Sequence, residues 1–225
     1  MGGKLFALPL LLAGANWRER VIGAIGALLG IGLTGLFSTL IAGDVGMGLL
    51  LAAPIGASAV LVFIVPSSPL GQPWPVIGGN IVSALAGIAA AQWFGHGALA
   101  AGAAVSGAIL GMSLLRCLHP PGGGTALLAV VGGPAVVAHG YGFALVPLGL
   151  NAILLAVAGI AFHRLAGHRY PHRPAPMPQH ARLSGEDIDA ALADLGEAFD
   201  VSREDLNALL ERAESHAEAR RAKRG

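Results

Sequence analysis

The chain has 225 residues, 54% hydrophobic and only 12% charged, with a mean hydropathy of +0.67 and a formal net charge of +1. Soluble domains carry about 25% charged residues, and here the charges are also segregated: the stretch from Val21 to Phe162 holds only Asp44 and Arg116, while 11 of the 13 acids follow Ser184. That division excludes a single soluble domain, a disordered chain and a coiled coil, and leaves one membrane domain with a small polar tail.

In chain order, the first apolar run, 5–15, has the length of a signal-peptide core. Pro9 interrupts it, and Asn16-Trp17-Arg18 stands where a cleavage site of small residues is needed. Residues 1–20 therefore read as an interfacial segment. Runs at 21–42, 46–65, 75–94, 98–115 and 144–162 approach the ~20 apolar residues that span a bilayer. Between the last two lies 125–138, interrupted by Gly132-Gly133-Pro134. As a helix it covers roughly 21 Å of a ~30 Å core, so it is either a short, broken span or a re-entrant segment.

Lys4, Arg18 and Arg20 at one end, and Arg164, Arg169, Arg173 and Arg182 at the other, place both ends in the cytoplasm. An even number of spans follows: six, with 125–138 crossing, which also sets Arg116 inside and Asp44 outside. Gly26-x-x-x-Gly30 and Gly107-x-x-x-Gly111 are small-residue spacings that let helices pack closely in lipid. Past the membrane domain, 21–165, four prolines in 167–179 mark an extended linker, 166–183. Ser184 and Ser202 open capping-box helix starts followed by apolar residues at helical spacing, a tail over 184–225. Its two helices pack on each other, on the membrane domain, or on something outside this chain. The expected class is all-α: a polytopic helical membrane protein of about six spans, one short or broken, with a small cytoplasmic helical tail.

The lone Cys117 excludes an internal disulfide and a cysteine zinc cluster. The predicted topology puts His96 and His139 on the opposite face from His119, which argues against a metal site. Aromatics at 5% are too few for a nucleic-acid stacking surface. There is no P-loop, HExxH or nucleophile elbow, so neither an enzyme nor a cofactor is expected. With Asp44 predicted in a loop, a proton-driven pump lacks its usual intramembrane carboxylate.

Two segments carry the polar chemistry. Pro66-Ser-Ser-Pro-Leu-Gly-Gln-Pro-Trp-Pro75 has four prolines and three polar side chains, Ser67, Ser68 and Gln72; such backbone cannot face lipid but can line a water-filled vestibule. Arg116-Cys-Leu-His-Pro-Pro-Gly-Gly-Gly-Thr125 leads directly into an apolar run. Its glycines, Gly122, Gly123 and Gly124, free the amides for close approach, and amides at a helix N-terminus attract anions. The competing reading is a tight turn with His119 at the interface. Asn80 follows Gly78-Gly79 and must be satisfied by protein or water. Arg116 either snorkels to the headgroups or draws anions toward the loop. Gly123 is expected to be crowded and His119 peripheral.

Three ordered motifs, Ala53-Pro-Ile-Gly-Ala-Ser-Ala59, the run Pro66 to Asn80, and His119-Pro-Pro-Gly-Gly-Gly-Thr-Ala-Leu127, resemble the HPP family of integral membrane proteins over roughly 15–165. The family is named for the His-Pro-Pro triplet, and plastid and cyanobacterial members are implicated in nitrite transport. Through 183–214 the chain is similar to bacterial members that continue into a nucleotide-sensing pair of CBS domains, which this sequence does not contain. The resemblance implies a path for a small anion, nitrite foremost, in the bacterial inner membrane.

The leading expectation is therefore a transporter or channel for a small monovalent anion. Backbone amides at 121–125 would bind it together with Asn80, His119, Thr125, Ser67, Ser68 and Gln72, with Arg116 at the mouth. A neutral-solute pore is the alternative, separated by whether anions carry current, and a non-transporting sensor or anchor is the third. Expected partners are the anion, the lipid bilayer and further copies of the chain.

Overall fold

The computed structural model describes residues 17–42, 51–172, 186–190 and 203–222. The regular elements there are helical: α1 (Trp17–Ala42), α2 (Ala53–Ile64), α3 (Pro73–Phe94), α4 (Ala98–Leu114), α5 (Pro121–Val131), α6 (Gly133–His139), α7 (Leu150–Leu165) and α8 (Arg203–Ala222). A 3-10 turn spans Pro69–Gly71, and a π-helical turn, Ala144–Gly149, leads into α7. Residues 186–190 are also helical. The N-terminal segment before Trp17, Asp44, the linker beyond His172, and the capping residues Ser184 and Ser202 lie outside the described residues.

Three helices, Trp17–Ile41, Pro73–Phe94 and Ala144–Leu165, are long and apolar enough to cross a membrane. The α5–α6 pair qualifies together but bends by 96°. α2 and α4, at 12 and 17 residues, are shorter apolar helices. The protein is a polytopic helical membrane protein.

Boundaries differ from expectation at informative places. α1 starts at Trp17, so Arg18, Glu19 and Arg20 lie in its first turn, where Glu19 favours the helix dipole. α3 starts at Pro73, since proline lacks only an N–H that the first turn leaves unbonded. α5 starts at Pro121 rather than near 125 for the same reason, so the triple glycine is helix and not loop.

Packing follows the small residues. Ala100, Ala104, Ala108 and Met112, each four apart, put one fully buried stripe of α4 against the α3–α5 side. A Cβ at Gly87 of α3 would collide with the Ala126 carbonyl of α5. On the other flank, a Cβ at Gly26 of α1 would lie 2.7 Å from both Phe63 and Phe162, and Gly30 abuts Phe63. This is the close approach that association in lipid depends on. Leu28, Leu29, Leu36 and Leu40 of α1 point outward, as a lipid-facing surface requires.

The contacts also order the passes. Gly23 meets Ile64 and Gly35 meets Leu51, so α2 returns antiparallel to α1. Gly107 faces Ala86 and Gly111 faces Val82, so α4 is antiparallel to α3. α5 runs parallel to α3, with Gly122 near Gly79 and the Val130 carbonyl bonded to His96. α7 returns beside α1, with Asn151 bonded to Ser38 and Phe162 beside Gly26. Loops 66–72, 115–120 and 166–172 gather at one end with the start of α1, where Glu19 meets His168 at 3.2 Å. The turn at 95–97 lies at the other end.

Candidate functional site

His119 is fully buried. Its chain position is the short loop between α4 and α5, where Gly79 makes room for it and Gly122 lets the start of α5 sit against α3 and α4. A Cβ at Gly79 would stand 2.5 Å from the His119 Cβ and 2.8 Å from the Cys117 carbonyl. A Cβ at Gly122 would collide with Ser83 Oγ and approach Met112 Sδ at 3.0 Å. Gly79 lies six residues into α3, so the loop reaches about 9 Å along that helix from its start.

Both ring nitrogens are held. Nδ1 donates to the Leu70 carbonyl at 2.9 Å, and Nε2 meets Ser58 Oγ at 2.8 Å. A carbonyl can only accept, so Nδ1 carries the proton and neutral Nε2 accepts from the Ser58 hydroxyl. Ser58 Oγ in turn accepts from Asn80 Nδ2 at 3.3 Å. Asn80 Nδ2 also donates to the Val76 carbonyl at 2.8 Å, and Asn80 Oδ1 accepts from Thr125 Oγ1 at 2.6 Å. Thr125, Asn80, Ser58 and His119 are each 0% exposed. They form one hydrogen-bonded chain across α5, α3, α2 and the His-Pro-Pro loop, ending on the turn that carries Leu70.

Three expected site residues therefore meet: Asn80, His119 and Thr125. His119 is central, contrary to the expectation of a peripheral side chain. The glycines also divide differently. Gly122 is the crowded one; nothing lies within 4 Å of a Cβ at Gly123, and Gly124 meets only Pro54 at ordinary contact distance. The amides of Gly122 and Gly123 are already bonded, to the carbonyls of His119 at 2.8 Å and Pro120 at 3.0 Å. These two are not the free anion ligands expected of them.

The remaining candidates stand apart. Arg116 is exposed, with a left-handed φ of 53°. Ser67 is exposed; Ser68 is buried and its Oγ accepts from the Leu70 amide at 3.3 Å. Gln72 spends its amide on its own loop, donating to the carbonyls of Pro66 at 2.9 Å and Ser68 at 2.8 Å.

At the far end of the same α3–α5 seam, a cavity of about 210 Å³ opens in the crook of the α5–α6 bend. Ile88, Gln92 and His96 line one side, and Ala129, Val136 and Val137 the other. Ile88 lies eight residues beyond Asn80 on α3, so cavity and polar chain are about 12 Å apart along the helix. The Gly87–Ala126 contact closes the seam between them.

Ser58, a member of the polar chain, is not among the expected site residues. Ser58 lies in the Ala53–Ala59 motif, but a lone helical serine usually bonds its own backbone, as this one can at the Pro54 carbonyl, 3.1 Å away.

A profile of the HPP transmembrane region matches residues 13–171. The chain belongs to the HPP transmembrane family. The match takes in every element from α1 to α7, the polar chain and the segment just past α7. Two transmembrane proteins of Dictyostelium discoideum are similar to this HPP protein. One is 35% and the other 36% identical over 126 residues, which is 54% of this chain and 40% and 44% of theirs. The chain thus matches less than half the length of these relatives. No solved structure matches.

Proposed function

We propose that this HPP protein is a transporter or channel for a small monovalent anion, nitrite foremost, moving along the α3–α5 seam. The observation that supports the reading is the alignment, on that one seam, of a cavity at one end and a chain of neutral hydrogen-bonding groups at the other. The ligands are Thr125 and Ser58 hydroxyls and the Asn80 amide, rather than the loop amides of Gly122 and Gly123. In the described conformation these groups satisfy one another, so the seam is closed at two places, Gly87–Ala126 and the chain itself. An anion entering exchanges each internal hydrogen bond for one to itself, and neutral donors bind weakly enough to release it.

The test is flux of nitrite, nitrate, chloride and formate into liposomes containing the chain, with and without a membrane potential. Potential-dependent uptake, lost in Thr125→Val and Asn80→Ala, supports the reading. Flux insensitive to potential assigns the seam to a neutral solute such as the conjugate acid. Absence of any flux removes the transport reading.

A further inference from the structure

The turn that holds His119 is itself held from a second direction. Tyr170 lies just past α7, is 4% exposed, and donates its hydroxyl to the Gly71 carbonyl at 2.9 Å. Two residues on, the His172 backbone N–H donates to Gln72 Oε1 at 2.8 Å. The His172 imidazole then reaches both carboxylate oxygens of Asp205 on α8, at 2.7 and 2.9 Å. Three consecutive residues thus face two ways. Leu70 bonds the buried chain through His119, while Gly71 and Gln72 bond the segment that leads to the cytoplasmic helix.

This segment opens the extended linker expected over 166–183, and its described residues pack on the membrane domain. His163 of α7 bonds the Val62 carbonyl at 2.8 Å, its ring lies 5.2 Å from that of Tyr170, and Tyr170 also faces Gly159. Leu70 and Gly71 are adjacent in one 3-10 turn. A displacement of that turn as a unit away from Tyr170 carries the Leu70 carbonyl with it, away from His119 Nδ1. An element with a held and a released arrangement, biased from both sides, is what lets two sites communicate.

We propose that Tyr170 and His172 are positioning residues through which α8 sets the state of the 66–72 loop, and through it of His119. With Asp205 on His172, the loop is held against His119 and the polar chain is closed. When α8 withdraws, the loop is freed, and His119 loses its Leu70 partner. The coupling is independent of what the protein conducts.

Cys117 supplies a readout that does not involve transport. It is the chain's one cysteine, fully buried two residues before His119, and its Cβ lies 3.2 Å from the position of a Cβ on Gly78. Its labelling by N-ethylmaleimide in the purified full chain measures how often the loop opens. Tyr170→Phe, His172→Ala and Asp205→Ala should each speed labelling about fivefold, the factor expected for one lost hydrogen bond. Arg220→Ala, exposed near the end of α8, should not change it. Ala104→Cys in a Cys117→Ser background reports global unfolding, because Ala104 is buried in the α4 stripe. Faster labelling at Cys117 with position 104 unchanged supports the coupling. Labelling of Cys117 that ignores His172→Ala and Asp205→Ala overturns it, as does equal acceleration at both positions.

Discussion

His119 shows how one residue type can carry two roles that a sequence cannot separate. A histidine between a helix end and two prolines looks interfacial, yet here both nitrogens are bonded inside the protein. Replacing it strands the Leu70 carbonyl and takes one partner from Ser58, which keeps the Pro54 carbonyl and the Asn80 amide; a buried polar group left without a partner costs about 1–3 kcal/mol. His119→Ala should therefore lower the unfolding midpoint in detergent; an unchanged midpoint would remove the chain's structural role. The glycines give a sharper contrast. Gly122→Ala drives a methyl into Ser83 and Met112, at about 1–3 kcal/mol for overpacking. Gly123→Ala meets open space inside a helix and should be neutral or stabilising by up to ~1 kcal/mol. Thermal melts of the two variants decide between this ordering and its reverse; from the sequence alone Gly123 was expected to be crowded. Asn80, His119 and Thr125 were legible because they sit in ordered motifs. Which glycine is crowded was not, since that depends on Ser83 and Met112, residues of two other helices.

Elements were legible where punctuation is strong. Gly132-Gly133-Pro134 announced a broken helix, and the structure bends 96° there. What the pattern could not give is where α5 begins. Proline reads equally as a loop residue or as the first residue of a helix, and here Pro121 is the latter. Gly133 itself takes φ 77°, with nothing near its missing Cβ. Gly133→Ala should still destabilise by about 1–2 kcal/mol, because an L-residue pays for the left-handed conformation whatever the space. Gly102, helical and equally open, is the control: its alanine variant should melt no lower than the wild type. Equal behaviour of the two variants would mean that the bend does not depend on this backbone conformation. The strap past α7 was illegible for a different reason. Arg, His and Pro around Tyr170 read as an extended linker, and the partner of Tyr170 is a backbone carbonyl 99 residues away, which leaves no mark in composition.

Across the molecule, the fold turns a charge bias along the chain into a charge bias in space. Every described Arg from Trp17 to His172, namely Arg18, Arg20, Arg116, Arg164 and Arg169, lies at the end that holds the 66–72 loop and the start of α1. The opposite end, with His96 and His139, has no described Lys or Arg. Positive charge retained on one side is the cytoplasmic signature, so that end is expected inside. Arg116 stands three residues before His119, yet it is exposed, with its backbone in a left-handed conformation. It is therefore expected to act through its field at the mouth and not as a ligand. Such a field is screened over about 8 Å at physiological ionic strength. Arg116→Gln should reduce anion flux at low salt and matter little at high salt. Arg116→Lys should restore most of the loss, because a field needs charge and not a planar fork. A collapse of flux in both variants at every salt concentration, with the melting midpoint intact, would make the guanidinium a direct ligand and move the binding site out of the α3–α5 seam to the cytoplasmic mouth.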